Sequence, residues 1–566
     1  MAAAGHYDLV VAGAGAAGMT AAAVAASQGM RVLLVEKTAL VGGTTAWSGG
    51  MVWVPANRQM LAAGMADSLD AARRYLAATV ASESGAAIRE AFLTHAGEAI
   101  DYLAAHTPVR LRPVTVYPDY YPDRPGATLG GRVLEPCPFD ARALGSRFAL
   151  LRPPLPEFTL FGGMMVSRPD ITHFRRVFRS AHATWRVASL LARHARERLT
   201  APRGTSLYLG NALAGRLLLA VTELGVELRL GTRIAALRRE GRRISGLVLR
   251  DGSNDEAELT CRAVVLATGG FSHDAALRAR MLSPAAGPLS AAAPGNAGDG
   301  IRLGLDVGGE LGTANASGAF WVPASRSRRA DGSECVFPHT VTDRAKPGLI
   351  AVDDAGQRFV NEAVSYHEFV LAMLRHGLGA TRPAYLVCDR RFLWTYGLGR
   401  VRPFSLRLRE HLASHYLHAA PSLGALALTL GIDAAGLTAT VAAHNADARA
   451  GVDRRFGRGS DAYQRHLGDA DHRPNPCLAP LETPPFYAVA VYPADLGTAT
   501  GLLTDARARV LAADGTPVPG LYACGNDMNS VMNGAYPGPG ITLGPALTFG
   551  YLAARDAAQN AALGPG

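Results

Sequence analysis

A glycine-rich segment near the start of the chain has the spacing of a dinucleotide-binding turn. Residues 8–12 (DLVVA), apolar after Asp8, lead into Gly13, Gly15 and Gly18, a G-x-G-x-x-G pattern that a predicted alanine-rich helix follows. In such a unit Gly13 makes the turn, Gly15 lets the backbone approach a pyrophosphate, and Gly18 lets the helix pack on the strand. The helix N-terminus offers N–H groups and a positive dipole end to the phosphates. Glu36 ends a second predicted strand, where an acid accepts the hydroxyls of a ribose.

The segments that follow favour FAD over NAD. Residues 42–50 form a second loop rich in glycine and hydroxyl groups, and this loop contains no histidine, so non-covalent attachment is predicted. Residues 263–270 and 520–527 each run from an apolar strand into glycine and polar residues, and a helix after Gly544 is predicted to aim its N-terminus at the flavin. The predicted cofactor-binding residues are Gly13, Gly15, Ala16, Ala17, Gly18, Glu36, Lys37, Gly42, Gly43, Thr44, Thr45, Ser48, Gly49, Gly50, Thr268, Gly269, Gly270, Asp299, Gly525, Asn526, Asp527, Gly540, Thr542 and Leu543.

The cofactor site draws on both ends of the chain, so the middle is predicted to be an inserted domain. The predicted fold class is α/β, with a Rossmann-type FAD-binding domain over residues 1–300 and 487–566. An α+β substrate-capping domain is predicted over residues 301–486. The Pro/Gly-rich stretch 284–300 and residues 481–485 fit the two junctions, because such residues favour turns and loops.

The composition is that of a globular, reduced protein. The chain has 566 residues, of which 48% are hydrophobic and 18% charged. Its six cysteines show no C-x-x-C spacing, so neither a metal site nor a disulfide is predicted. No apolar run approaches the roughly 20 residues that cross a bilayer. No signal peptide is apparent before the first strand, and a cytoplasmic protein is predicted.

One segment carries much of the positive charge. The net charge is +10, and residues 168–203 are rich in arginine interleaved with apolar residues at steps of three and four. This spacing predicts a basic amphipathic helix or helix pair within an insertion at about 160–205. Two interpretations stay open: a surface helix packed on the FAD-binding domain, or a peripheral contact with anionic lipid on the inner face of the cell membrane. No segment resembles a nucleic-acid-binding module, so no nucleic-acid partner is predicted.

More specific motifs indicate the family. They are residues 117–122 (YPDYYP), 130–132 (GGR), 138–140 (PFD), 298–300 (GDG), 358–362 (RFVNE) with Tyr366, and 536–540 (YPGPG). With these motifs the whole chain resembles the fumarate reductase/succinate dehydrogenase flavoprotein superfamily. Within that superfamily it is most similar to the bacterial 3-ketosteroid Δ1-dehydrogenases.

The resemblance implies oxidation of the A ring of a 3-ketosteroid, with a proton lost from C2 and a hydride passed from C1 to flavin N5. Tyr536 and the backbone N–H of Gly540 would bind the C3 carbonyl oxygen. Two donors there stabilise a developing enolate, and one such donor is typically worth about 3 kcal/mol. Tyr366 would take the proton, and Tyr120 would support Tyr366. Tyr117 and Tyr121 stay open as alternatives for the role of Tyr120.

Three rival functions are compatible with the same cofactor motifs. A Δ4-dehydrogenase would use the same carbonyl clamp with a differently placed base. Fumarate chemistry needs arginine and histidine to hold two carboxylates, and residues 532–540 contain neither. A non-catalytic flavin-binding protein is the third rival. Because the sequence offers no site for a second redox centre, an external electron acceptor such as a quinone is predicted.

Overall fold

The computed structural model describes residues 5–562 except 81, 178 and 330. Residue 178 of the basic segment, and the ends 1–4 and 563–566 of the predicted FAD-binding domain, therefore lie outside the described residues. The strands are β1 His6–Ala12, β2 Val32–Glu36, β3 Val52–Trp53, β4 Leu111–Pro113, β5 Val133–Pro136, β6 Phe139–Asp140, β7 Ser206–Leu207, β8 Glu227–Leu230, β9 Thr232–Glu240, β10 Arg243–Asp251, β11 Glu256–Leu266, β12 Ala319–Arg328, β13 Glu334–Pro338, β14 Leu349–Val352, β15 Ala384–Asp389, β16 His418–Ala420, β17 Phe486–Thr498, β18 Arg509–Leu511 and β19 Pro517–Ala523. The α-helices are α1 Ala16–Ser27, α2 Arg58–Ala62, α3 Leu69–Thr79, α4 Ala86–His106, α5 Arg168–Arg175, α6 Ala181–Thr200, α7 Leu209–Glu223, α8 Ala275–Met281, α9 Asp299–Asp306, α10 Tyr366–Arg375, α11 Arg390–Tyr396, α12 Arg409–Ala413, α13 Leu423–Leu430, α14 Ala434–Ala450, α15 Ala462–Leu467 and α16 Leu543–Ala562.

The larger sheet joins both ends of the chain. Its main order is β18-β19-β11-β1-β2-β8, with β1 parallel to β2 and β11, β11 parallel to β19, and β2 parallel to β8. Residues 9–12 of β1 are buried on both faces, which explains their uninterrupted apolar sequence. Helix α1 follows β1 and packs against α7 and α16. The predicted fold class, a Rossmann-type FAD-binding domain with a capping domain, is confirmed.

The second large sheet forms the cap. Its order is β13-β12-β17-β15-β14, with β16 also paired to β17, and these pairings are antiparallel. Strand β17 lies in the middle of this sheet and runs to Thr498, whereas the sequence places the end of the cap before residue 487. Residues 481–485 therefore lead into the central cap strand. Because β17 pairs with β12 and β15, we place the domain boundary after Thr498.

The basic segment forms a helix pair, α5 and α6, that packs together. Helix α6 buries Ala183, Val187 and Leu190. Its outer surface exposes Trp185 and Leu199, at 75% and 85% of their full area. Of the helices that the structure describes, none is both long and apolar enough to cross a membrane.

Candidate active site

A single cavity of about 430 Å³ contains both the dinucleotide turn and the conspicuous tyrosines. Tyr120, Tyr366 and Tyr536 line it together with Tyr117. The predicted cofactor-binding residues that line it are Gly13, Gly15, Ala16, Ala17, Glu36, Lys37, Gly43, Thr44, Thr45, Ser48, Gly49, Gly50, Thr268, Gly269, Asp299, Gly525, Asn526, Gly540, Thr542 and Leu543. Segments from both ends of the chain and from the cap therefore meet at one site.

Four predicted cofactor-binding residues, Gly18, Gly42, Gly270 and Asp527, are not part of the cavity wall. The sequence predicts that Asp527 binds the cofactor, but its carboxylate is fully buried and accepts hydrogen bonds from the N–H groups of Thr268 and Gly270, at 2.5 and 2.8 Å. Asp527 therefore holds the turn after β11 in place. A Cβ on Gly18 would lie 1.9 Å from the carbonyl oxygen of Gly13, so Gly18 serves helix packing.

The dinucleotide end of the cavity fits the pyrophosphate and adenosine of FAD. Gly13 has φ +101°, and a Cβ there would lie 2.3 Å from the carbonyl oxygen of Ala267. Gly15 precedes α1 and has no side chain that could cap this helix. The N–H groups at the start of α1 are therefore suited to binding phosphate oxygens. Arg152 lines the same end, and its buried Nε has no hydrogen-bond partner within the described chain. An unpaired buried donor of this kind matches an acceptor on a bound group.

The hydroxyl groups of two tyrosines meet in the part of the cavity that does not hold the dinucleotide turn. The hydroxyl of Tyr366 donates a hydrogen bond to the hydroxyl of Tyr536 over 2.8 Å. The Tyr120 ring lies 5.8 Å from the Tyr366 ring and 5.6 Å from the Tyr536 ring, and it is nearly parallel to the latter. All three side chains are buried. The structure thus brings the three predicted catalytic tyrosines into one cluster.

The neighbours of Tyr120 have different surroundings. Tyr121 donates its hydroxyl proton to Glu368 over 2.7 Å and does not line the main cavity. Tyr117 lines the cavity, and its ring lies 4.8 Å from His466. The Tyr120 ring packs against both Tyr366 and Tyr536, as the predicted supporting role requires.

The 536–540 turn is fixed from behind by backbone contacts. The carbonyl oxygen of Pro537 accepts hydrogen bonds from the N–H of Tyr120 and the hydroxyl of Tyr75, at 3.0 and 2.5 Å. Gly540 has φ +94°, and a Cβ there would lie 2.6 Å from the Met51 carbonyl group. The carbonyl oxygen of Gly540 accepts from the N–H of Trp53. These contacts explain why the tyrosine is followed by Pro-Gly-Pro-Gly.

Tyr366 is the first residue of α10. Ser365 caps this helix, since its hydroxyl accepts from the N–H of Glu368 at 3.2 Å. Serine followed three residues later by glutamate is a helix-start pattern. The positive end of the helix dipole therefore lies at Tyr366, where it favours negative charge.

A buried ion network holds the segment that precedes Tyr366. Arg358 forms two hydrogen bonds of 2.7 Å to the carboxylate of Glu362 and also pairs with Asp453. Arg458 reaches the same Glu362 at 3.1 Å. Removing one partner of such a buried network typically costs about 3–5 kcal/mol. The RFVNE motif therefore positions the base candidate through packing and charge pairing.

The electrostatics keep these phenols protonated in the free protein. Burial raises the pKa of Tyr366 well above its ordinary value, the nearby Tyr536 raises it further, and a hydrogen bond from Tyr120 opposes the increase. Burial raises the pKa of Tyr536 to about 12. His367, whose ring lies 5.7 Å from Tyr536, has its pKa lowered by burial to about 3 and is therefore neutral. Tyr536 is thus a hydrogen-bond donor at neutral pH.

The structure adds residues that the sequence analysis missed. Tyr463 on α15 packs its ring 4.7 Å from Tyr120. Phe320 on β12 and His367 on α10 pack against Tyr536. These residues lie in ordinary buried stretches without distinctive spacing, so no local sequence pattern marks them.

The charged residues of the cavity wall cluster at one end. Glu36 ends β2 and Lys37 follows it, Asp299 pairs with Lys37, and Arg152 hydrogen-bonds Thr38. Arg233 follows β8, which pairs with the end of β2. In the described wall around the tyrosines, no side chain is charged. The apolar residues of the whole cavity wall include Met51, Leu155, Phe158, Met165, Val166, Ile171, Pro338, Val341 and Leu496.

Comparisons with known proteins agree over nearly the whole length. Residues 8–543 match the family described as FAD binding domain. The chain is 38% identical to 4-oxocyclohex-2-ene-1-carboxylate 5-dehydrogenase of Sinomonas cyclohexanicum, covering 98% of this chain and 94% of that protein. It is 37% identical to 3-oxosteroid 1-dehydrogenase of Mycobacterium tuberculosis (strain H37Rv), covering 98% and 99%.

A crystal structure of 3-ketosteroid delta1-dehydrogenase from Sterolibacterium denitrificans, in complex with 1,4-androstadiene-3,17-dione, superposes with a TM-score of 0.90. The two chains are 38% identical, and the alignment covers 98% of this chain and 100% of the other. The similarity therefore includes both domains.

Proposed function

Since the chain belongs to the FAD binding domain family, and within it to the group that includes the 3-oxosteroid 1-dehydrogenases, we propose that it desaturates C1–C2 of the A ring of a 3-ketosteroid. FAD is the cofactor, and when bound it accepts the hydride from C1. The observation that carries the proposal is the 2.8 Å contact between the hydroxyls of Tyr366 and Tyr536, in a neutral pocket of the cavity that also holds the dinucleotide turn.

Tyr536 and the N–H of Gly540 bind the C3 carbonyl oxygen in this proposal. Because the Tyr536 hydroxyl accepts from Tyr366, its own proton is left to donate to the substrate. Hydrogen bonds at that oxygen strengthen as enolate charge develops, so they lower the barrier to C2 deprotonation. The rigid 536–540 turn supports this role because its donors need little reorganisation.

Tyr366 takes the C2 proton, and Tyr120 supports it. Burial makes a free Tyr366 phenolate costly. Two features oppose that cost: the hydrogen bond from Tyr120 and the N-terminus of α10. The deprotonated Tyr366 that takes the C2 proton is therefore stabilised by Tyr120 and by the helix dipole.

The wall chemistry supports a steroid substrate over a small carboxylate. The relative from Sinomonas cyclohexanicum is named for an oxocyclohexene carboxylate. A buried carboxylate needs a cationic or multiply hydrogen-bonding partner. In this chain the arginines and lysine of the described cavity wall lie at the adenosine end, while the region around Tyr536 is apolar and neutral.

Anaerobic reduction of the bound flavin tests the function. A 3-ketosteroid should bleach the flavin absorbance, while 4-oxocyclohexanecarboxylate and succinate should leave it unchanged. The ultraviolet spectrum of the steroid product then separates a cross-conjugated 1,4-dien-3-one from the 4-en-3-one that a Δ4-dehydrogenase would make. Bleaching by the carboxylate alone would contradict the steroid assignment. Reoxidation by an external acceptor, with a quinone as the first class to try, completes the proposed cycle.

The α5–α6 pair supports a membrane contact beside the cavity. Met165, Val166 and Ile171 of the insertion line the cavity wall, so the insertion borders the cavity. Its outer surface combines the exposed Trp185 and Leu199 with exposed arginines, a combination suited to anionic lipid. A lipophilic substrate could then enter from the bilayer side.

Replacing Trp185 with alanine should weaken binding to vesicles that contain phosphatidylglycerol. The wild-type protein should sediment with them at low salt and less at high salt, because salt screens the arginine contacts. The matched control is Trp394→Ala, which removes another exposed tryptophan on the cap. Equal sedimentation of both variants with wild type would make α5–α6 an ordinary surface element.

A further inference from the structure

A second cavity of about 160 Å³ lies behind the tyrosine cluster. Tyr120 lines both this side cavity and the main cavity, so its side chain separates the two. A space of this size has room for several water molecules. The side cavity also contains Asp461, Glu368 and Tyr463, so it differs chemically from the apolar substrate pocket.

The carboxylates of the side cavity have different partners. Glu368 accepts the hydroxyl proton of Tyr121 at 2.7 Å and lies 3.9 Å from Arg375. Asp461 caps α15 by accepting from the N–H of Gln464 at 2.8 Å and also accepts from the amide side chain of that residue. Asp461 thus has no cationic partner in the described structure. The remaining charged residues of this wall are Asp123 and Arg124, both exposed.

We infer that the proton removed from the substrate leaves through Tyr120 into the side cavity, where Asp461 receives it and releases it to solvent. This inference rests on the proposed function, since it assigns a route to the proton that Tyr366 takes. Partial burial raises the pKa of Asp461, and the neighbouring Asp123 raises it further. Asp461 is therefore a better transient proton acceptor than an exposed carboxylate.

The transfer balances without a further reactant. The C2–H bond breaks, its electron pair remains with the substrate, and the C1 hydride would go to FAD held by the cavity residues. The proton binds to the oxygen of the deprotonated Tyr366, which accepts the hydrogen bond from Tyr120. Tyr366 then turns its hydroxyl toward Tyr120 and passes it a proton. Tyr120 gives a proton to water in the side cavity, and that water gives one to Asp461. One proton thus reaches solvent for each substrate oxidised.

The test follows exchange of the substrate C2 hydrogens with deuterium oxide under anaerobic conditions. In the wild type the abstracted proton escapes before it can return, so recovered 3-ketosteroid should carry deuterium at C2. Asp461→Ser keeps a good helix cap but removes the carboxylate. This variant should lower C2 exchange and turnover by roughly 10²-fold, the lower end of the range for loss of a proton-transfer group. Formate, which is small enough for the cavity, should restore part of the exchange.

Two further variants make the result specific. Asp461→Glu should retain most of the exchange because it keeps a carboxylate at the cavity. Asp433→Asn changes a matched capping aspartate, at the start of α14, and should behave as wild type. Flavin content and substrate Kd are measured for each variant. Should Asp461→Ser bind flavin poorly, Asp461→Asn provides the same comparison with an isosteric side chain.

Wild-type C2 exchange in Asp461→Ser or Asp461→Asn would overturn the route. Failure of the proposed function has a different result, because the wild-type protein would then show neither flavin bleaching nor C2 exchange with any 3-ketosteroid. Loss of turnover in Asp461→Ser with unchanged exchange would also overturn the route, since the proton would still escape.

Discussion

Replacing Tyr366 with phenylalanine should slow oxidation of a 3-ketosteroid by roughly 10²–10⁴-fold, the range for loss of a general base. The ring of phenylalanine fills the same space at the start of α10, so FAD should remain bound and the fold intact. Only the hydroxyl that contacts Tyr536 at 2.8 Å is removed. The measurement is stopped-flow reduction of the bound flavin by the steroid, together with flavin content.

The pH dependence gives a second readout of Tyr366. Burial raises the pKa of this phenol, so its deprotonated form is scarce at neutral pH. The wild-type rate of flavin reduction should therefore rise as the pH rises, and Tyr366→Phe should lose this dependence. Tyr385→Phe removes a cap-sheet hydroxyl that donates to the Leu430 carbonyl and serves as the control. A Tyr366→Phe enzyme that reduces its flavin at the wild-type rate would exclude Tyr366 as the base.

The elements of the FAD-binding domain could be predicted because their sequence constraints are local. The turn at Gly13, the helix that follows it and the acid at Glu36 each occupy their expected places. The C-terminal boundary of the cap could not be predicted as well from the sequence. Residues 481–485 contain the prolines typical of a junction, yet they lead into β17, whose membership in the cap sheet depends on pairing with distant strands.

The candidate site shows the same distinction between local and tertiary information. The Tyr366 and Tyr536 contact joins segments 170 positions apart, and only their motifs indicated it beforehand. The neighbouring residues in the sequence led to the prediction that Asp527 binds the cofactor. A buried carboxylate needs hydrogen-bond donors, however, and the N–H groups that follow β11 supply them. Asp461 and the side cavity have no motif, because α15 meets Tyr120 only in the folded cap.

Tyr536→Phe should reduce flavin reduction by roughly 10²–10³-fold, the usual effect of removing one donor to a developing oxyanion. The effect should appear in kcat more than in KM, since the donated hydrogen bond strengthens as charge develops on the carbonyl oxygen. The variant should also be less stable. The Tyr366 hydroxyl loses its acceptor in a buried site, and an unsatisfied buried donor costs about 1–3 kcal/mol.

Tyr522→Phe separates these two effects. Its hydroxyl is buried and donates to Asp556 at 2.9 Å, so its loss should lower the melting temperature without slowing flavin reduction. Tyr366 and Tyr536 act on the same step, so the double variant should be little slower than the slower single variant. Independent, multiplicative losses would mean that the two phenols serve separate steps. Full activity in Tyr536→Phe would show that the Tyr536 hydroxyl is not needed to bind the carbonyl oxygen. The reason for placing a ketone beside Tyr366 would then be lost.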